Sequence, residues 1–105
     1  MRLRLAFGLS ILCVTAAEAQ MSPAEQRGRQ FAQANCAQCH AIDRVSPSPL
    51  NVAPPFRTLH LRYPVDTLQE ALGEGIVTGH PSMPEFKLDP GQVGDFIAFL
   101  KTLGR

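Results

Sequence analysis

The chain has no tryptophan, a single tyrosine (Tyr63) and only three cysteines in 105 residues. A domain of this size buries only about 60–65% of its unfolded surface, so with so few large aromatics it has little material for a core of its own. It also lacks an excess of charge: ten Lys and Arg stand against nine Asp and Glu, a formal net charge of +1. That balance excludes a strongly basic nucleic-acid binder and an acidic disordered tail. No apolar run reaches the roughly 18 residues of a spanning helix, which excludes a polytopic membrane protein. Nor is there an alternating polar and apolar pattern from which a sheet could be built. The chain is one small domain at most, without repeats or linkers.

What is present begins with an export signal. Arg2 and Arg4 precede an apolar run from Leu5 to Ala17, which ends in the small-x-small sequence Ala17-Glu18-Ala19. The run is too short to span a bilayer and has the layout a signal peptidase reads, so residues 1–19 are expected to be removed after Ala19. Cys13 follows Leu12, where a lipoprotein signal takes a small residue, and it leaves with the signal. Loss of Arg2, Arg4 and Glu18 brings the mature domain, 20–105, to formal neutrality with histidine uncharged. A partner selected by a large uniform field is therefore not expected.

Two cysteines remain, in Cys36-Ala37-Gln38-Cys39-His40. A disulfide between them would close too short a loop to remove much unfolded-state entropy. A structural zinc site wants about four converging ligands, and only His60 and His80 are left to supply a fourth. A thioredoxin-like pair wants strand and helix alternation around it. The run is instead the attachment signature of c-type haem. Two thiols about one turn apart each add to a vinyl group on one porphyrin edge, and the adjacent imidazole is carried under the iron as proximal ligand. Export agrees with this, because such attachment follows export.

A sixth iron ligand has two thioether candidates in the mature chain, Met21 and Met83. Met83 lies between Pro81 and Pro84, which keep the backbone extended and able to aim one side chain at a flat surface. His80, three residues earlier, is the rival, but it follows Gly79, a flexible approach better suited to a turn.

Helices are signalled by their caps. Ser22-Pro23-Ala24-Glu25 is a capping box with proline in the first turn, opening a helix to about Asn35 with Gly28, Phe31 and Ala32 on one face. Asp89-Pro90-Gly91-Gln92 repeats the cap, and Val93, Phe96, Ile97, Leu100 and Leu103 follow at helical spacing before Gly104. Val65 to Glu74 reads as a short middle helix stopped by Gly75. Phe56, Leu59, His60 and Tyr63 share a face of a further turn or two. Residues 41–55, with Pro47, Pro49, Pro54 and Pro55, read as an irregular loop. The fold class is all-α.

Cys36-to-His40 near the mature N-terminus, Met83-Pro84 and the terminal apolar helix resemble small class I cytochromes c. The stretches Ala53-Pro54-Pro55-Phe56-Arg57 and Gly75 to Phe86 resemble more narrowly the soluble periplasmic cytochromes c of proteobacteria. The resemblance covers nearly all of 22–103. It implies crossing terminal helices, with Gly28 and Phe31 against Phe96 and Phe99, around one covalent haem c bound by Cys36, Cys39, His40 and Met83, with His40 and Met83 on the iron. It implies that a proline carbonyl at Pro54 or Pro55 accepts a hydrogen bond from the proximal imidazole. Arg57, Arg62 and Tyr63 could pair with the propionates, although such arginines are more often solvated.

Thioether ligation, a filled sixth position and a nearly buried haem imply a periplasmic one-electron carrier rather than an enzyme. Such a carrier is a monomer that docks transiently on a protein donor and acceptor at the haem edge, with peripheral contact to membrane complexes and no nucleic acid. The alternative is a haem sensor or peroxidase-type protein with an open sixth position. A subunit of a larger haem complex is a third reading.

Overall fold

The computed structural model describes residues 3, 6, 8–11, 20–75 and 83–104. Cys13, the expected cleavage site after Ala19, and His80 lie outside the described residues. Three α-helices and two 3₁₀ turns make up the described domain: α1 (Pro23–Asn35), 3₁₀ turns at Phe56–Leu61 and Val65–Thr67, α2 (Leu68–Glu74) and α3 (Pro90–Leu103). No strand occurs among the described residues, and no helix among them is long and apolar enough to cross a membrane.

Both long helices start where their side chains can replace missing helical partners. Ser22 Oγ accepts from the Glu25 amide at 3.2 Å, and the Glu25 carboxylate accepts from the Ser22 amide at 3.2 Å. The same reciprocal cap links Asp89 and Gln92, at 2.8 and 3.2 Å. Each cap satisfies two amides that the first turn leaves without carbonyls. Pro23 and Pro90, which have no amide to satisfy, follow the capping residues.

The helices α1 and α3 cross where α1 has no side chain. A Cβ at Gly28 would fall 2.7 Å from the Asp95 carbonyl carbon and 2.7 Å from the Phe99 Cβ, so only glycine lets the two backbones meet. Phe31 then sets its edge on Phe96, ring centroids 5.7 Å apart. Outside the contact, Arg27 grips the Asp95 carboxylate through two nitrogens, at 2.8 and 3.0 Å. Helix α3 gives the core more residues than any other described element, burying Val93, Phe96, Ile97, Phe99 and Leu100.

Two segments depart from the helical reading, both just after a proline. The first turn of the expected 65–74 helix is 3₁₀, because the Thr67 amide and hydroxyl both close on the Pro64 carbonyl, at 3.0 and 2.6 Å. Thr58 closes on the Pro55 carbonyl in the same way, at 3.0 and 2.7 Å. With three residues per turn, Phe56 and Leu59 stack on one buried side. His60 is thereby turned away from them and packs against Gly104, where a Cβ would lie 3.0 Å from its Cγ. Beyond α2, Gly75 takes φ 109° and ends the helix in a conformation that favours glycine. The Leu88 amide returns to the Leu72 carbonyl at 2.8 Å, tying the approach to α3 onto α2.

The proline-rich loop is irregular as expected, and it is anchored. Asp43 accepts from the amides of Val45 and Ser46, at 2.9 and 2.6 Å, and from the Ser46 hydroxyl at 2.6 Å. These bonds hold its carboxyl at about 2, below the ordinary 3.8. Further along, the Phe56 amide donates to the Ala41 carbonyl at 2.9 Å, bringing the end of the loop back beside the CxxCH run.

Candidate functional site

Helix α1 stops at the cysteine motif, and the stop shapes the site. The amides of Cys36 and Ala37 both return to the Ala32 carbonyl, at 2.8 and 3.0 Å, and the Cys36 carbonyl then collects the amides of Cys39 and His40, at 3.1 and 2.9 Å. The five residues are thus wound into a turn. Cys36, Cys39 and His40 all line one cavity of about 510 Å³, to which Met83 and Pro84 also contribute. That volume lies within the range of small-molecule and cofactor sites.

The imidazole is held in a defined state. His40 Nδ1 lies 2.8 Å from the Pro54 carbonyl oxygen. A carbonyl only accepts, so Nδ1 carries the hydrogen and Nε2 keeps its lone pair for a ligand. Of the two prolines left open by the sequence, Pro54 makes this contact, while the Pro55 carbonyl is taken by Thr58. The ring also lies beside Phe56, centroids 4.9 Å apart.

Both thiols are free. Burial pushes the Cys36 thiol up to about 11, away from the depressed range of redox-active dithiols. Among the described residues, no three of His, Cys, Asp and Glu gather as they would around a single ion. The thiols and imidazole are instead spread along a wall made largely of Phe31, Leu59, Leu72 and Phe96. Two thiols to bond, a nitrogen lone pair to coordinate and broad apolar walls are what an iron porphyrin requires, so the residues present fit that group.

Met21, the other thioether candidate, packs against the core and does not line the cavity. Arg57 donates to the Ser46 carbonyl at 2.6 Å, and neither it nor Arg62 reaches the cavity, whereas Tyr63 does. The lining also includes Leu50, Val52, Leu68 and Leu72, which the sequence reading did not assign to the site. Leu68 and Leu72 carried a signal, the apolar face of α2. Leu50 and Val52 sit in a proline loop without periodicity, and nothing local marks them.

The family model for Cytochrome c matches residues 25–104. A curated relative, "Cytochrome c-553-like" from Synechocystis sp. (strain ATCC 27184 / PCC 6803 / Kazusa), is 34% identical over 80 residues, covering 73% of this chain and 67% of the relative. No solved structure matches the chain.

Proposed function

Because the chain belongs to the cytochrome c family, an electron carrier with covalent haem c and not an enzyme, we propose a carrier with His40 and Met83 as its axial ligands. In this reading Cys36 and Cys39 form the thioether bonds. Residues 1–19 direct export to the periplasm, and the domain 20–105 works there as a monomer between a protein donor and a protein acceptor. The observation that carries the reading is the 2.8 Å contact of His40 Nδ1 with Pro54, made in the cavity that both cysteines and Met83 also line.

Bound haem supplies a one-electron ferric–ferrous couple. The chain does the rest. Pro54 orients the imidazole and raises its basicity as a ligand. Phe31, Phe56 and Phe96 keep water from the walls, so little solvent reorganises when the charge changes. A Met83 thioether held on bound iron would favour its ferrous state, raise the potential and exclude small ligands.

Axial ligation is tested by paired variants of the exported holoprotein. Met83→Ala is expected to lose the weak long-wavelength sulfur-to-ferric-iron band and to bind CO when reduced, while His80→Ala keeps the band. The opposite pattern makes the protein a bis-histidine cytochrome. Ready CO binding by the unaltered ferrous protein would favour the sensor reading.

A further inference from the structure

Export as proposed puts a glutamine at the head of the mature chain: hydrolysis after Ala19 frees the α-amine of Gln20. The fold holds the chain from Met21 onward and leaves Gln20 outside. Met21 packs against the core, and its carbonyl accepts from Gln26 Nε2 at 3.0 Å. The Ser22 amide and hydroxyl are both engaged with Glu25 in the cap of α1. Gln20 itself is exposed, and no hydrogen bond among the described residues ties its backbone or its carboxamide. Its amine and carboxamide are spaced to close on each other as a pyrrolidone ring, and the closure uses atoms of that residue alone.

The place of that amine gives closure a physical advantage. It lies two residues before Ser22, the cap of α1, where the first helical turn presents amides and the positive end of the helix dipole. Glu25, the acidic residue of that turn, already accepts from the Ser22 amide, and Arg27 and Arg29 follow it. A protonated amine is therefore set against charge of its own sign. The lactam keeps an N–H donor and loses the charge.

Resting on the export reading above, we infer that Gln20 is a modification site, cyclised to pyroglutamate in the mature protein. The unprotonated α-nitrogen attacks the side-chain carbonyl carbon Cδ. The N–Cδ bond forms, the Cδ–Nε2 bond breaks, and ammonia leaves with the proton that the amine gives up. Nothing is oxidised or reduced, and no co-reactant enters. The product offers an aminopeptidase no free amine, so trimming does not start toward Met21 and Ser22. Those two residues anchor the start of α1, the helix that runs on into the cysteine motif.

Intact mass and stepwise amino-terminal sequencing of the exported holoprotein test this. The mass is expected to equal that of residues 20–105 with one haem, less one ammonia. Sequencing is expected to give no residue until pyroglutamyl peptidase is applied, and then to begin at Met21. Gln20→Ala is expected to leave an open terminus that can be sequenced directly. That variant should focus one charge more basic at a pH below the amine's ordinary pKa of about 8, and an aminopeptidase that leaves the unaltered protein whole should shorten it. A chain of residues 20–105 at full mass, with Gln20 readable by sequencing even after prolonged incubation at neutral pH, overturns the inference and leaves the export reading intact. A chain that starts at another residue, or that still carries residues 1–19, overturns both, and the mass separates these cases. Haem adds the same mass to the open and the cyclised form, so the result does not depend on the axial ligands.

Discussion

At the scale of single residues, the site depends on groups that were legible in the sequence and on others that were not. Cys36, Cys39 and His40 were readable because their chemistry and spacing lie within five residues. The support for His40 was readable only as a choice, since Pro54 and Pro55 present the same carbonyl chemistry and the path of the loop decides which one arrives. Asp43 illustrates a residue whose ionised carboxylate holds a loop in place. Its carboxyl is depressed to about 2 by the Ser46 hydroxyl and by the amides of Ser46 and Val45. A depressed carboxyl contributes stability that is fully present above the unfolded value near 3.8 and lost as pH falls through about 2. Protection of the Val45 and Ser46 amides, measured against the intrinsic exchange rate at each pH, is therefore expected to fall between about pH 4 and 2, and Asp43→Asn should remove that acid dependence.

At the scale of elements, the helix ends were legible because a capping box is complete within four residues, as at Ser22–Glu25 and Asp89–Gln92. The 3₁₀ turns were not. Their tightening comes from Thr58 and Thr67 each competing for a proline carbonyl, a local bond that hydrophobic periodicity does not register. That same tightening sent His60 to Gly104 instead of to the face of Phe56 and Leu59. The crossing of α1 and α3 offers a sharper test. Gly28→Ala gains about 1 kcal/mol of helix propensity but drives a methyl into the Asp95 backbone and Phe99, an overpacking cost of about 3 kcal/mol or more. Chemical denaturation of the holoprotein is expected to show a net loss of about 2 kcal/mol. A neutral or stabilised variant would mean that the helices separate at little cost.

At the scale of the whole molecule, the cavity and the core share residues: Phe56, Leu59, Leu72 and Phe96 belong to both. Without haem, the apolar walls of this cavity of about 510 Å³ stand open to water, which costs roughly 25 cal/mol for each Å² of apolar surface left uncovered. Haem is therefore expected to complete the fold, since a group bound only in the native state stabilises that state. Protein made without the export signal, and so without haem, should show no cooperative transition by calorimetry where the holoprotein shows a sharp one. A transition of similar height and midpoint in both would sink the idea.

The contact of Gly28 with Asp95 also has a temporal meaning. Arg27 and Asp95, clasped beside it, are 68 residues apart, so the pocket closes around nearly the full length of the mature chain. Every residue proposed to bond or ligate haem emerges from the ribosome before Phe96, the ring that faces Phe31 across the crossing. A chain stopped by a nonsense codon just after Phe86 would keep all four of them and have no third helix to shut the pocket over them. Such a product could acquire haem and still be unable to keep it dry, an open haem peptide in place of a carrier.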